Sequence, residues 1–211
     1  MKTYLVVFAF VGILLNPLIA QDFKRMKDPT IFQKKMQQTA RTTTSLQSDF
    51  IQVKHLDVLS EDITSNGRLC FKKENNLRWE YISPIRYTIV LCAGKVSIKD
   101  EGKLSSYDLS GNKTFQKINE MVVRSIQGDL VLDKVAYQYI FQENSVQYLV
   151  ELLPKDEKVR SFMERIQIYF SKKNLRVQSV KMIEQSGDYT LMKFKNQIFN
   201  ESISDRLFSL H

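Results

Sequence analysis

Histidine, glycine and cysteine are all scarce in this chain of 211 residues, and each scarcity removes a class of chemistry. The two histidines are His55 and His211. A catalytic histidine works beside a nucleophile and an orienting group, and no G-x-S-x-G turn or Cys-His signature accompanies either one. Neither stands at metal-ligand spacing from a cysteine or from the other histidine. The seven glycines fall at turns rather than in a phosphate-cradling loop. Asp100-Glu101 and Asp156-Glu157 read as solvated loops, not as the paired carboxylates of a glycosidase. The chain therefore reads as non-enzymatic, with no cofactor and no metal.

Long apolar runs are missing after the first twenty residues. Lys2, an apolar run from Tyr4 to Leu15 and a small residue at Ala20 read as a secretory signal peptide over 1–20, cleaved between Ala20 and Gln21. The run is short of the ~20 residues that span a bilayer. A location outside the cytoplasm is expected. The first mature residue would be Gln21 rather than the cysteine that carries a bacterial lipid anchor, so no lipidation of the chain itself is expected. Residues 21–211 carry no repeat, low-complexity tract or Gly/Ser/Pro-rich linker and read as one domain, expected to be monomeric. The formal net charge of +8 favours anionic partners. Nucleic acid is set aside, because no dense Lys/Arg run lies beside exposed aromatics.

What is present is alternation. In "GRLCFKKENNLRWEYISP" (67–84), Leu69, Phe71, Leu77, Trp79 and Tyr81 share one parity, with Lys73 on that parity at the tip and Asn75-Asn76 as the turn. The spacing predicts a meander of strands 67–74, 76–83 and 86–93. Cys70 and Cys92 then sit two strands apart, about 9–10 Å, beyond disulfide reach, as buried free thiols. "DPTIFQKKMQQTARTTTSLQ" reads as a helix with Asp28 as N-cap, Pro29 at its first position, Phe32, Met36 and Ala40 on one face, and an end in the threonine run. A second helical face is formed by Ile118, Met121, Val122 and Ile126. Strands are expected at 46–56, in "VSIKD" after a turn at Ala93-Gly94-Lys95 and, after the second helix, in "AYQYIFQ", "VQYLVELL", "FMERIQIYF", "LRVQSVKMIE" and "YTLMKFKNQ". Serial hairpins of this kind, about nine strands with two helices, mean a mainly β, antiparallel, strongly curved sheet or incomplete barrel with helices laid across one side.

The ordered set "SLQSDFIQV", "NGRLCFKKENNLRWEYISP", "YTIVLCAGKVSI", "SYDLS", "YLVELLPKD" and "YTLMKFKNQIFNESISDRLF" resembles the LolA family of periplasmic carriers of outer-membrane lipoproteins, which implies a periplasmic location. The resemblance implies an unclosed antiparallel barrel enclosing an apolar cavity under a helical lid. It implies that acyl chains of lipoproteins are received from an inner-membrane ABC transporter and handed to an outer-membrane acceptor. On that reading Leu69, Phe71, Leu77, Trp79, Tyr81, Ile89 and Leu91 line the cavity, and Phe32, Met36, Ile118, Met121, Val122 and Ile126 form the lid. The family's hairpin arginine falls on Lys73, which becomes a polar latch beneath the lid. Lys keeps the charge but lacks the planar donor fork of Arg. Glu74 replaces the family's proline, Cys92-Ala93 stands where an acidic turn residue is usual, and one extra residue between Pro84 and Gly94 leaves the parity of strand 86–93 open. A carrier of another lipid or glycolipid, and a non-enzymatic interaction or sensor module on the same fold, are the alternatives.

Overall fold

The computed structural model describes residues 22–74, 76–108 and 134–210. Ile118, Met121, Val122 and Ile126 lie outside them, as do the N-terminal twenty residues. In chain order the elements are β1 Lys24–Arg25, α1 Thr30–Thr42, β2 Ser45–His55, β3 Ile63–Lys72, β4 Asn76–Ser83, β5 Tyr87–Cys92, β6 Lys95–Asp100 and β7 Lys103–Asp108. They continue with β8 Tyr137–Glu143, β9 Gln147–Pro154, α2 Glu157–Arg160, β10 Met163–Ser171, β11 Val177–Glu184, β12 Tyr189–Phe199 and a 3-10 turn Asp205–Phe208.

Two meanders make one antiparallel sheet. β2 to β7 run outward in sequence order, as do β8 to β12, and β12 returns to pair with β2, Phe194 opposite Phe50. Among the described residues, β1 and β7 are the free ends of a twelve-stranded order, β1-β8-β9-β10-β11-β12-β2-β3-β4-β5-β6-β7, so the barrel is not closed. Alternation puts the apolar parity of every long strand on one concave face, as a period of two requires. The tight turns are those their residues allow. Ala93-Gly94 closes the Cys92–Lys95 pair with φ of 49° and 74°, and Glu101-Gly102 closes Asp100–Lys103 with φ of 44° and 85°. Two successive positive φ values match the twist of a hairpin.

α1 forms one residue later than expected: Pro29, not Asp28, is its N-cap, and Thr30 is its first residue. The Asp28 carboxylate still accepts the Thr30 N–H at 2.9 Å, and the helix stops at Thr42, where β-branched side chains have lost rotamer freedom. Phe32, Met36 and Ala40 are its buried residues.

Four further expectations are corrected. β3 ends at Lys72, which pairs with Asn76, and the positive φ is at Glu74. Asn76 is thus the first residue of β4, and Lys73 stands in the turn rather than at an inward strand position. β3 begins four residues earlier than its apolar pattern, because Ile63–Asn66 are held by pairing to β2 and not by burial. β7 was not anticipated, since all six of its residues are exposed and carry no apolar signal. Cys70 and Cys92 are free, on β3 and β5 with β4 between them, but they are half-buried rather than buried. They lie on the outer face, with Val90, beneath Ile203, Phe208 and Leu210 of the C-terminal segment. That segment is pinned by Lys72, whose ammonium donates to the Ile203 carbonyl at 3.2 Å and meets Asp205 at 2.5 Å.

Candidate functional site

The concave face has two apolar fields. The first, on β2 to β6 and β12, holds Leu46, Phe50, Leu69, Phe71, Leu77, Leu91 and Met192, with Trp79 and Tyr81 partly buried against them. The second, on β8 to β11, holds Val150, Leu152, Ile166, Ile168, Phe170 and Val177, and it is here that Phe32 and Met36 of α1 pack. The Phe32 ring lies 4.4 Å from Tyr148 and edge-on to Phe141 and Phe170 at 6.3 and 5.7 Å. Phe194 borders both fields. The helix is therefore not in the same cluster as the hairpin residues assigned to the lining. An amphipathic stripe shows that a helix covers something, not which half of a sheet it covers.

Gly67 organises the first field. It sits in the middle of β3, opposite Phe50 on β2 and Tyr81 on β4. A Cβ there would lie 2.3 Å from the Phe50 ring and 2.2 Å from the Glu80 carbonyl oxygen. The missing side chain leaves a notch, and Phe50 lies in it. Across that notch Phe50 reaches Trp79 and Tyr81, each with centroids 5.1 Å away, and Tyr87 stacks on Tyr81 at 4.3 Å. Aromatic contacts of this geometry add to the area they bury.

The predicted lining residues fall into two layers. Leu69 and Phe71 have no exposed surface, and Leu77 and Leu91 are each 6 % exposed, so these four are enclosed by their neighbours. Trp79, Tyr81 and Ile89 are half-buried, and Ile89 is the cross-strand partner of Trp79. The open parity of β5 is thereby settled: Tyr87, Ile89 and Leu91 face inward, and Val90 belongs to the outer cluster. Lys73 is exposed, and its backbone N–H donates to the Thr44 carbonyl at 2.8 Å, just beyond the C-terminal end of α1.

One polar cluster on this face lies around Tyr81. The Tyr81 hydroxyl donates to Gln52 Oε1 at 2.7 Å. Burial pushes the Tyr81 phenol well above its ordinary titration range, and the hydroxyl of Tyr87 pushes it further. The Trp79 indole N–H acts in the opposite sense, close enough to favour the phenolate but outside hydrogen-bond geometry, and it is buried without a partner. A groove of about 490 Å³ opens beside this cluster, lined by Tyr81, Tyr87, Ile82, Arg86 and Lys99 among others. Phe50, Gln52 and Phe194 were missed from the sequence as site residues. The signal for Phe50 and Gln52 was the "SDFIQV" alternation, which marks them as same-face neighbours, and for Phe194 it was the alternation of "YTLMKFKNQ".

The other histidine chemistry is structural. His55 Nδ1 meets Asp62 at 2.7 Å and Nε2 meets Asp57 at 3.2 Å, while the ring stacks on Tyr189 at 4.8 Å. The Asp62 hydrogen bond is the main cause of its raised pKa. No group of three His, Cys, Asp or Glu among the described residues is placed to hold a metal ion.

The family model for the outer membrane lipoprotein carrier protein LolA matches residues 41–211. The chain belongs to the LolA family. That is a family of lipid- or lipoprotein-binding carriers, generally without enzymatic activity. The crystal structure of MucB is similar at 12 % identity with a TM-score of 0.53, covering 88 % of this chain and 64 % of MucB. An uncharacterized conserved protein from Thermus thermophilus is similar at 9 % identity with a TM-score of 0.53, covering 87 % of this chain and 95 % of that one. A LolA superfamily protein from Nitrosomonas europaea is similar at 11 % identity with a TM-score of 0.44, covering 84 % and 97 %. Identities this low speak to the fold alone. No curated protein matches the chain by sequence. The LolA-type barrel seen here is an open one. No helix among the described residues is long and apolar enough to cross a membrane.

Proposed function

We propose that this LolA-family member is a periplasmic, non-enzymatic carrier that shelters the acyl chains of lipoproteins and shuttles them from the inner to the outer membrane. The observation that carries the reading is the concave face: apolar across both meanders, with α1 packed in only one of its two fields. Trp79, Tyr81 and Ile89 are the half-buried lining that a chain would touch, over a floor of Leu69, Phe71, Leu77 and Leu91. Holding an acyl chain out of water is worth about 0.8 kcal/mol per methylene, or about 12 kcal/mol for a chain of about sixteen carbons. That keeps cargo bound in transit. Exchange with a bilayer, where the chain is already sheltered, is close to neutral, so hand-over needs only a small bias.

On this reading an inner-membrane ABC transporter loads the protein, an outer-membrane acceptor unloads it, and residues 1–20 direct export. Lys73, at the turn beside the end of α1, is the gating residue. The test is displacement of a bound hydrophobic fluorophore by an acylated peptide. Displacement by the acylated peptide and not by the same peptide without its lipid supports the reading. Absence of fluorophore binding and of acyl-dependent displacement refutes it.

A further inference from the structure

Hairpin connections of an antiparallel sheet fall alternately at its two rims. One rim holds the connections β3–β4, β5–β6, β8–β9 and β10–β11; the other holds β2–β3, β4–β5, β6–β7, β9–β10 and β11–β12. Counted with the strand residues that bound them, the two sets carry opposite charge. The first has Lys72, Lys73, Lys95, Lys172, Lys173 and Arg176 against Glu74 and Glu143, a formal +4. The second has five cations against nine carboxylates, a formal −4 with His55 neutral. Residues 109–133 hold three Lys/Arg and three Asp/Glu, and so leave that difference standing. Three cations of the basic rim are committed within the fold: Lys72 to Asp205, Lys172 to Glu143, and Arg176 over the Phe199 ring. Lys73, Lys95 and Lys173 are exposed and make no ion pair among the described residues.

Resting on the carrier reading for the choice of surface, we infer that the basic rim docks the protein, end on, against the anionic headgroups of a phospholipid bilayer. The three free lysines stand on three separate connections, so they meet a field of phosphates better than one partner group. Each is a point charge on a flexible stem, without the planar fork by which arginine grips a single carboxylate. Between the β8–β9 and β10–β11 connections lies a groove of about 500 Å³, lined by Ser145, Lys172 and Lys173 and edged by the half-exposed Val146. A headgroup phosphate there finds ammonium and hydroxyl donors. The acidic rim is repelled by the same surface, so the field turns the molecule before contact. That rim is the more apolar of the two, with Val58 and Ile85 exposed. Seating it on the bilayer would bring nine carboxylates onto the phosphates.

The test titrates cargo-free protein with phosphatidylcholine vesicles, with and without one part in three of phosphatidylglycerol, and reads bound protein by co-sedimentation. Two double variants make the same change in net charge at opposite rims. Lys95→Gln with Lys173→Gln alters the basic rim, and Lys103→Gln with Lys158→Gln alters the acidic one. All four side chains are exposed and make no ion pair among the described residues. A lysine near an anionic surface is worth about fivefold in affinity, so the first variant should bind anionic vesicles about 25-fold less tightly and the second less than about twofold. Raised salt should weaken the natural protein in the same way. No binding of the natural protein to anionic vesicles, or equal losses in the two variants, overturns the docking. Equal binding to neutral vesicles also overturns it and assigns the contact to the apolar tips at Val58 and Ile85. Salt-sensitive capture by polyglutamate but not by vesicles overturns the bilayer and makes the partner an acidic protein. Displacement of a hydrophobic fluorophore by acylated peptide is measured alongside. Intact displacement without vesicle binding overturns the docking alone, whereas vesicle binding without displacement overturns the carrier reading and leaves the docking standing.

Discussion

Gly67→Ala is the smallest change that strikes the centre of the concave face. The added methyl would stand 2.3 Å from the Phe50 ring and 2.2 Å from the Glu80 carbonyl oxygen, well inside contact distance. Phe50 is 1 % exposed, so its ring has no empty space to enter. The carbonyl is backbone, and retreating from it means parting β3 from β4. Gly67 carries no positive φ, so the effect is steric rather than conformational. Overpacking a filled core costs about 1–3 kcal/mol. Expelling a buried Phe altogether costs about 3–5 kcal/mol. The substitution should therefore destabilise by about 2–4 kcal/mol, which for a domain of this size lowers Tm by roughly 5–15 °C. Denaturant titration of Gly67→Ala, Phe50→Ala and the double variant apportions the effect. If the ring is the obstacle, Gly67→Ala should cost at least about 1 kcal/mol less in the Phe50→Ala background. An unchanged Tm in the single variant, or strictly additive costs, would refute the notch.

Three further outcomes follow from named contacts. The pKa of His55 is raised, chiefly by Asp62. Its stabilising contribution is complete below the unfolded value near 6.5 and is lost as pH rises through the higher folded value. Chemical denaturation between pH 6 and 9 should show that loss, and His55→Gln should flatten it; an unaltered slope in the variant would discard the pairing. Cys70 and Cys92 should both take up alkylating reagent under denaturing, non-reducing conditions, and recovery of a linked pair would contradict the order β3-β4-β5. Lys73→Leu should keep cargo binding and slow transfer to an acceptor bilayer, whereas wild-type transfer would reduce Lys73 to a solvated turn residue.

How much of this was legible in the residues follows the burial. The hairpin 67–84 could be read because one of its faces is buried and the other is wet, so parity survives in the letters. α1 could be read from Asp28, Pro29 and the Phe32-Met36-Ala40 stripe for the same reason. β7 could not, because "KLSSYD" is held by hydrogen bonds alone and every side chain is exposed. The end of β3 was misplaced because Asn75-Asn76 is the stronger local turn signal, while pairing of Lys72 with Asn76 decides the register. Gly67 looked like a strand boundary and proved to be a strand interior, since its role depends on a ring from another strand. The placement of α1 in the β8–β10 field, and the unpaired donor of Trp79, are facts of three-dimensional proximity that no periodicity carries.

The central claim is that acyl chains lie on the concave face, and the single tryptophan of the chain sits on that face. Bromine is a contact quencher, so two lipopeptides are compared, one brominated on its acyl chain near the carbonyl and one brominated on its peptide. Both are titrated into the protein in the absence of detergent while emission from Trp79 is followed. The account expects strong, saturable quenching by the chain-brominated cargo and little by the other. Saturable binding of both with no quenching from the acyl bromine would place the cargo elsewhere and contradict the account.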